Sequence, residues 1–198
     1  MNKSNIYWAG GEYRTKCVIG FERDGVINQY REGYCTTVDD FDPIPGSLEA
    51  VAKMRSMGHK LVVITDQGCI EQGIATQAQV EAVNQHMLTL FGDAGCRDID
   101  MMYFSAGIQK NDIYVKPNVG MFKRCEREIK DIKFDQGYYV GHTINDLKAA
   151  AKIGAKPVLV RTGQGLKTEQ ALNRYTHRAL KQKTQIFDDL ASFVESLS

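Results

Sequence analysis

The sequence predicts an α/β protein in which helices cover both faces of a central parallel sheet. Short apolar runs of strand length alternate along the chain with longer segments whose apolar residues recur every three or four positions. The short runs are almost continuously apolar, which is typical of strands buried on both sides. Strands that alternate with helices in this way form parallel sheets. We therefore expect a three-layer, Rossmann-like fold.

Five strands are predicted from the apolar runs. They are Cys17–Phe21, Lys60–Ile64, Met101–Phe104, Gly137–Val140 and Pro157–Val160.

Helices are predicted between and after these strands, with Thr76 and Asn145 as expected N-caps. Their apolar faces are Leu48, Val51, Ala52 and Met54; Val80, Val83, Met87 and Leu90; Met121, Cys125 and Ile129; Leu147, Ala150 and Ala151; and, in a final helix, Ile186, Leu190, Phe193, Val194 and Leu197.

Composition points to one globular domain without a nucleic acid or membrane partner. The 198 residues are 43% apolar and 25% charged, with a net charge of +1, which provides no broad field for nucleic acid or an acidic membrane. No apolar run approaches the roughly 18 residues of a membrane span. The first sixteen residues lack the apolar core of a secretory signal. We therefore expect a cytoplasmic protein.

Cysteine spacing gives no indication of a metal or disulfide framework. The five cysteines are dispersed and form no CxxC pair. We expect free thiols that pack as small apolar residues, and no structural zinc.

Polar groups follow the predicted strands at the edge where parallel sheets bind ligands. The loops read "ERDGVIN", "TDQG", "VKPNVGM" and "GHTINDLKAA". Glu22 and Asp24 offer oxygen ligands to a hard cation such as Mg²⁺, and Asp146 could complete that site. Thr65 provides a hydroxyl for a phosphate oxygen, and Lys116 provides a positive charge. Together the loops predict a phosphate and metal site.

These four loops resemble the four motifs of the haloacid dehalogenase (HAD) superfamily. The resemblance is greatest to the small, capless D,D-heptose 1,7-bisphosphate phosphatases and the related histidinol-phosphate phosphatases. It runs from about Cys17 to Gly165 and includes "PIPGSLEAVAKMRSMGHKLVVIT" and "AKPVLVRTG". It implies a single HAD domain over residues 1–198 without a large cap domain. Its motif-bearing core spans about 17–165, and C-terminal helices span about 168–198.

The resemblance also implies phosphomonoester hydrolysis in two steps. The residue at the position of Glu22 attacks phosphorus, and Asp24 protonates the leaving oxygen and then activates water. Thr65, Asp66 and Lys116 occupy the positions that hold the phosphoryl group.

Metal binding follows from the same resemblance. The cofactor implied is Mg²⁺, or another divalent metal, and the corresponding ligand positions are Glu22, Asp24, His142 and Asp146.

The nucleophile position departs from the family pattern because it holds Glu22 where the family has aspartate. One extra methylene displaces the carboxylate by roughly 1.5 Å. A misplacement of about 1 Å can lower a rate on the order of 100-fold. We therefore expect hydrolysis to be weak or lost.

The second and fourth motifs also depart from the pattern. His142 replaces a metal-binding aspartate, and Mg²⁺ prefers oxygen ligands. Two interpretations stay open: His142 recruits a softer metal such as Mn²⁺, Co²⁺ or Zn²⁺, or it faces the metal pocket, as a cation in place of the metal. Asp66 replaces asparagine and adds negative charge near the phosphate site.

Three functions are consistent with these residues. The first is a HAD-like protein that binds a small phosphorylated molecule, such as a sugar phosphate, with hydrolysis lost or strongly weakened. The second is an active sugar-phosphate phosphatase with altered metal use. The third is a nucleic-acid-end phosphatase of the polynucleotide kinase type, which the near-neutral charge disfavours.

Overall fold

A computed structural model describes residues 17–197 and contains a six-stranded parallel sheet. Its spatial order is β3-β2-β1-β4-β5-β6. The strands are β1 (Val18–Phe21), β2 (Lys60–Asp66), β3 (Met101–Ser105), β4 (Tyr138–Gly141), β5 (Lys156–Val160) and β6 (Gln185–Phe187). The predicted fold class and the five predicted strands are confirmed.

Helices connect the strands, as their spacing predicts. They are α1 (Ser47–Ser56), α2 (Gln77–Asp93), α3 (Gly120–Glu128), α4 (Ile144–Ile153), α5 (Gly165–Leu172), α6 (Arg178–Lys183) and α7 (Leu190–Glu195). Short 3-10 turns lie at Val38–Asp40, Phe134–Gln136 and Tyr175–His177.

Both faces of the sheet are covered, which explains why the strands are apolar at successive positions. In β2, Leu61 and Val63 point into a core layer formed with α1, α2 and α7. Their neighbours Val62 and Ile64 point into a second layer formed with α3 and α4. Because side chains alternate across a strand, a strand buried on both faces needs apolar residues throughout.

The C-terminal region differs from the prediction of helices alone. Ile186 lies in strand β6, which pairs with β5, and only α7 forms the expected final helix. A strand of three residues is too short to reveal a period of two in the sequence.

The N-cap of α4 also differs from the prediction. Thr143, not Asn145, caps this helix, because its hydroxyl accepts the Asp146 N–H while the Asp146 carboxylate accepts hydrogen bonds from Thr143. The predicted cap at Thr76 is confirmed.

The sheet topology brings the predicted loops together. The strand order reverses between β1 and β4, and each of these strands ends in a motif loop. Ligands of open α/β sheets bind in the crevice at such a reversal. Glu22 therefore follows β1 directly beside the loop that begins at His142.

The cysteines are free, and Cys35, Cys69, Cys96 and Cys125 are buried, as predicted for small apolar residues. No helix between residues 17 and 197 has both the length and the apolar character of a membrane span.

Candidate active site

A pocket of about 230 Å³ lies at the carboxyl ends of the strands. Six of the predicted site residues line it: Glu22, Asp24, Asp66, Lys116, His142 and Asp146. The seventh, Thr65, is fully buried below the pocket, where its hydroxyl accepts a hydrogen bond from Gln67 at 2.9 Å. The motif loops therefore meet, as the sequence predicts, but Thr65 does not reach the pocket surface.

The first of two polar groups in the pocket is centred on a buried lysine, and we call it the Lys116 cluster (Glu22, Lys116, Tyr139 and Asp146). Lys116 Nζ donates to the Glu22 carboxylate, to Asp146 Oδ1 at 2.6 Å and to the Tyr139 hydroxyl at 2.9 Å. Tyr139 in turn donates to the carbonyl of Ile64 at 2.6 Å. All three ammonium hydrogens are thus used inside the protein.

Burial and charge act in opposite directions on this cluster. Burial lowers the pKa of Lys116, and the Asp146 carboxylate opposes that shift. Burial alone would raise the pKa of Asp146, but the charge of Lys116 and the hydrogen bonds from Lys116 and Thr143 outweigh it and lower the pKa. We therefore treat Asp146 as a carboxylate held by Lys116 on one oxygen and by the start of α4 on the other.

Asp66 lies at the edge of the Lys116 cluster. Its carboxylate is 3.8 Å from Lys116 Nζ, too far for a hydrogen bond. Burial and the nearby Asp146 charge raise the pKa of Asp66 to about 8. Near neutral pH its carboxyl group is therefore largely protonated, which reduces the negative charge that the sequence places here.

The second polar group is the Asp24 cluster (Arg23, Asp24, Asn28 and Gln67). Arg23 is completely buried and forms an ion pair with Asp24 at 2.9 Å. Asn28 and Gln67 each donate an amide hydrogen to Asp24 at 2.8 Å. Arg23 also donates to Gln67 at 3.0 Å and to Asn84 at 2.8 Å. These hydrogen bonds fix the Asp24 carboxylate at the pocket wall.

His142 is held as a neutral imidazole. Its Nδ1 accepts the backbone N–H of Gln164 at 2.9 Å. Since a backbone amide can only donate, the ring proton must lie on Nε2. Burial lowers the pKa of His142, although the Asp146 carboxylate opposes the shift. This geometry disfavours the cationic form considered from the sequence.

The residues present do not fit Mg²⁺ in this arrangement. The carboxylates of Glu22 and Asp146 are bound by Lys116, and Asp24 is bound by Arg23. His142 directs no lone pair into the pocket, because Nδ1 is engaged and Nε2 is protonated. Within residues 17–197, no three His, Cys, Asp or Glu side chains form a group that could hold a metal ion. The expected metal ligands thus surround the pocket without forming a ligand set.

Several important residues were not identified from the sequence. Arg23 and Gln67 lie in the motif loops directly beside acidic residues, and this position in the sequence could have identified them as partners of a carboxylate. Tyr139 lies within an apolar strand run, and nothing in its local pattern indicates that its hydroxyl would reach Lys116.

The pocket mouth is formed by the loop after β1. Tyr30 packs against the His142 ring with centroids 5.4 Å apart. Arg31 and Tyr34 also line the pocket. Arg31 makes only a loose ion pair with Asp40, at 3.9 Å, so its charge is accessible to an anion that enters.

Fold and site together define the class of protein: a HAD-type phosphatase fold with its four motif loops around one pocket. The sequence profile described as "Polynucleotide kinase 3 phosphatase" matches residues 18–186, so the chain belongs to that family.

Relatives and a solved structure agree with this assignment. The chain is 34% identical over 176 residues to D-glycero-β-D-manno-heptose-1,7-bisphosphate 7-phosphatase of Pseudomonas putida, covering 89% of this chain and 96% of that protein. It is 32% identical to the enzyme of the same name from Pseudomonas aeruginosa, covering 92% and 98%. The D,D-heptose 1,7-bisphosphate phosphatase from B. bronchiseptica, solved with magnesium and phosphate, superimposes with a TM-score of 0.80 at 27% identity, covering 92% of this chain and 98% of that one.

Proposed function

We propose that this protein binds a sugar phosphate in the pocket between the Asp24 and Lys116 clusters and hydrolyses it slowly or not at all. The observation that carries this proposal is the contact between Glu22 and Lys116. It ties the carboxylate at the nucleophile position to the cation expected to hold the phosphoryl group.

Binding is supported by the charges around the pocket. Lys116 at its base and Arg31 at its mouth provide the positive charge for an anion. The raised pKa of Asp66 removes one of the opposing acidic charges near neutral pH, and those that remain are Glu22, Asp24, Glu32 and Asp146. A phosphate group would have to replace Glu22 as a partner of Lys116, because the ammonium hydrogens are otherwise all used. Binding therefore involves an exchange of one anion for another.

Weak hydrolysis is supported by the state of the attacking group. A nucleophile must approach phosphorus along the line of the leaving oxygen, and catalysis depends on that positioning. Glu22 is longer than the aspartate of the family pattern and is held by Lys116. Asp24, by contrast, keeps the position of an acid–base group, with its carboxylate at the pocket surface.

The substrate class is inferred from the relatives. The similar proteins act, by name, on a heptose bisphosphate, and the chain aligns along nearly their whole length. The name of the matching family, "Polynucleotide kinase 3 phosphatase", makes nucleic-acid ends the other candidate substrate. The net charge of +1 gives no indication of the broad basic surface that nucleic acids need, so we favour a sugar phosphate.

The direct test is phosphate release from D-glycero-β-D-manno-heptose 1,7-bisphosphate and other sugar phosphates, with Mg²⁺, Mn²⁺, Co²⁺ or Zn²⁺. The native chain should be at least about 100-fold slower than the variant Glu22→Asp/His142→Asp, which restores both family residues.

The matched control is Glu22→Asn/His142→Asn, which resembles that variant in size but lacks both carboxylates and should stay inactive. Robust turnover by the native chain with any of these metals would favour the active phosphatase with altered metal use. Release of phosphate from a 3′-phosphorylated DNA, but not from sugars, would favour the nucleic-acid-end phosphatase.

A further inference from the structure

His142 presents an N–H group to the pocket. It is 96% buried but lines the pocket, and its Nδ1 is engaged by Gln164. Nε2 has no hydrogen-bond partner among residues 17–197, and it is not one of the side-chain atoms sealed from solvent. A donor that is nearly buried and unpartnered is suited to a ligand acceptor.

The surroundings of the ring hold it in this orientation. A Cβ atom on Gly25 would come within 2.8 Å of Cε1 and Nδ1 of the imidazole, and one on Gly163 within 2.6 Å of Nδ1, so the backbone packs closely against the ring at both glycines. Both glycines also have positive φ angles, 74° and 58°, which other residues rarely adopt. The close backbone and the hydrogen bond from Gln164 to Nδ1 together favour the observed orientation of the ring.

We propose that the pocket binds phosphate without a divalent cation, with the Nε2–H of His142 as a hydrogen-bond donor to the bound anion. This inference rests on the proposed function, because it concerns the same pocket.

The charge balance supports binding without a metal. In the family pattern the position of His142 is a carboxylate, and a metal offsets the repulsion between acidic ligands and phosphate. Here a neutral donor replaces that carboxylate, which removes one negative charge and adds one hydrogen bond. Of the other carboxylates at the expected metal-ligand positions, Asp146 is bound by Lys116 and Asp24 by Arg23. Both keep these partners when phosphate takes the place of Glu22 on Lys116, so they do not need a metal ion.

The test is a titration of the native protein with inorganic phosphate, first in EDTA and then in Mg²⁺, followed by calorimetry and by the ¹⁵N shifts of the His142 ring. We expect the same Kd within about twofold in both buffers. The free protein should show the Nε2–H tautomer, and phosphate should shift the Nε2 signal. Binding more than tenfold weaker in EDTA, or an Nδ1–H tautomer, would overturn the inference.

Two variants test the donor itself. His142→Leu removes the N–H and should weaken phosphate binding about tenfold, since a hydrogen bond to a charged group is lost. His142→Gln keeps an N–H at nearly the same position and should stay within about threefold of the native Kd. Equal affinity of both variants would contradict the role of Nε2–H. Thermal unfolding shows whether each is folded, and the ring shifts of the native protein decide the question if either is not.

His142→Asp should introduce the metal dependence that the native chain lacks, with weak phosphate binding in EDTA and stronger binding in Mg²⁺. The outcomes separate the two proposals. Phosphate binding by the native protein only in Mg²⁺ would overturn this inference and leave the proposed pocket intact. An absence of binding in both buffers would overturn both.

Discussion

The two polar clusters of the pocket both hold carboxylates next to a buried cation, but they satisfy the charges differently. In the Asp24 cluster, one carboxylate is bound by Arg23 and by two side-chain amides, and part of it reaches solvent. In the Lys116 cluster, one ammonium group is shared between Glu22 and Asp146, and both carboxylates are almost entirely buried. The first cluster has several donors for one acid, and the second has one cation for two acids.

This difference suggests a division of roles. The Asp24 cluster is a fixed scaffold, because the loss of a single donor leaves other partners for the carboxylate. In the Lys116 cluster two carboxylates share one cation, and in the binding mode proposed above an incoming anion takes the place of Glu22 on that cation. The stability of the protein and its affinity for anions should therefore respond most strongly at Lys116.

The largest expected effect is that of Lys116→Met. This variant leaves Glu22 and Asp146 buried without a cation, and breaking a buried ion pair typically costs about 3–5 kcal/mol. We expect a loss of that size in the free energy of unfolding, measured by urea denaturation. Lys123→Met, on the exposed side of α3, should change stability by less than about 0.5 kcal/mol.

A second substitution distinguishes unpaired charge from lost packing. Adding Glu22→Gln to Lys116→Met removes one of the two unpaired carboxylates and should recover about 1–2 kcal/mol. If the double variant is as unstable as Lys116→Met alone, the cost comes from packing, and the contrast between the two clusters is not electrostatic.

The sequence was sufficient to predict five of the six strands, because their continuous apolar runs reflect burial on both faces. It also placed the motif loops correctly, because the carboxyl ends of parallel strands share one edge. It could not predict which groups pair inside the pocket. Lys116 and Glu22 are 94 positions apart, and their contact depends on side-chain directions that no local pattern encodes.

The sequence could not predict the tautomer of His142 for a similar reason. The tautomer is set by the backbone N–H of Gln164, 22 residues away in a loop outside the motifs. The residue type alone is consistent with either a metal ligand or a cation at position 142. The hydrogen bond from Gln164 favours a neutral imidazole that donates through Nε2. Thr143 and Asn145 both have side chains that can cap a helix, and the reciprocal hydrogen bonds of Thr143 and Asp146 fix the start of α4 at Thr143.

An intermediate effect is expected for Asp66→Asn. The pKa of Asp66 is about 8 in the folded chain, above its ordinary value of 3.8, so the folded state retains a proton that the unfolded chain releases. The contribution of Asp66 to stability is therefore full below about pH 4 and is lost as the pH rises towards 8. The variant should become more stable relative to the native chain over that window.

The size of this effect is reduced by solvent, because the Asp66 side chain is 30% exposed. We expect a relative gain of about 1–2 kcal/mol between about pH 5 and about pH 8, measured by urea unfolding at several pH values. Asp42→Asn, which makes the same change at an exposed position, is the matched control. A flat difference between native and Asp66→Asn would mean that Asp66 is ionised throughout and that the Lys116 cluster carries more negative charge than we infer.

The smallest expected effect is that of removing a helix cap, and two caps of the same type allow a direct comparison. Thr143 at α4 and Thr76 at α2 each form a capping box, and replacing either with alanine should cost about 1 kcal/mol in unfolding free energy. Only Thr143 also donates to Asp146, at 2.7 Å, and so fixes the carboxylate that binds Lys116. Thr143→Ala should therefore weaken phosphate binding about two- to fivefold, whereas Thr76→Ala should leave it unchanged. Equal phosphate affinity in the two variants would show that the cap of α4 serves the helix alone, and that Lys116 positions Asp146 without help from the start of that helix.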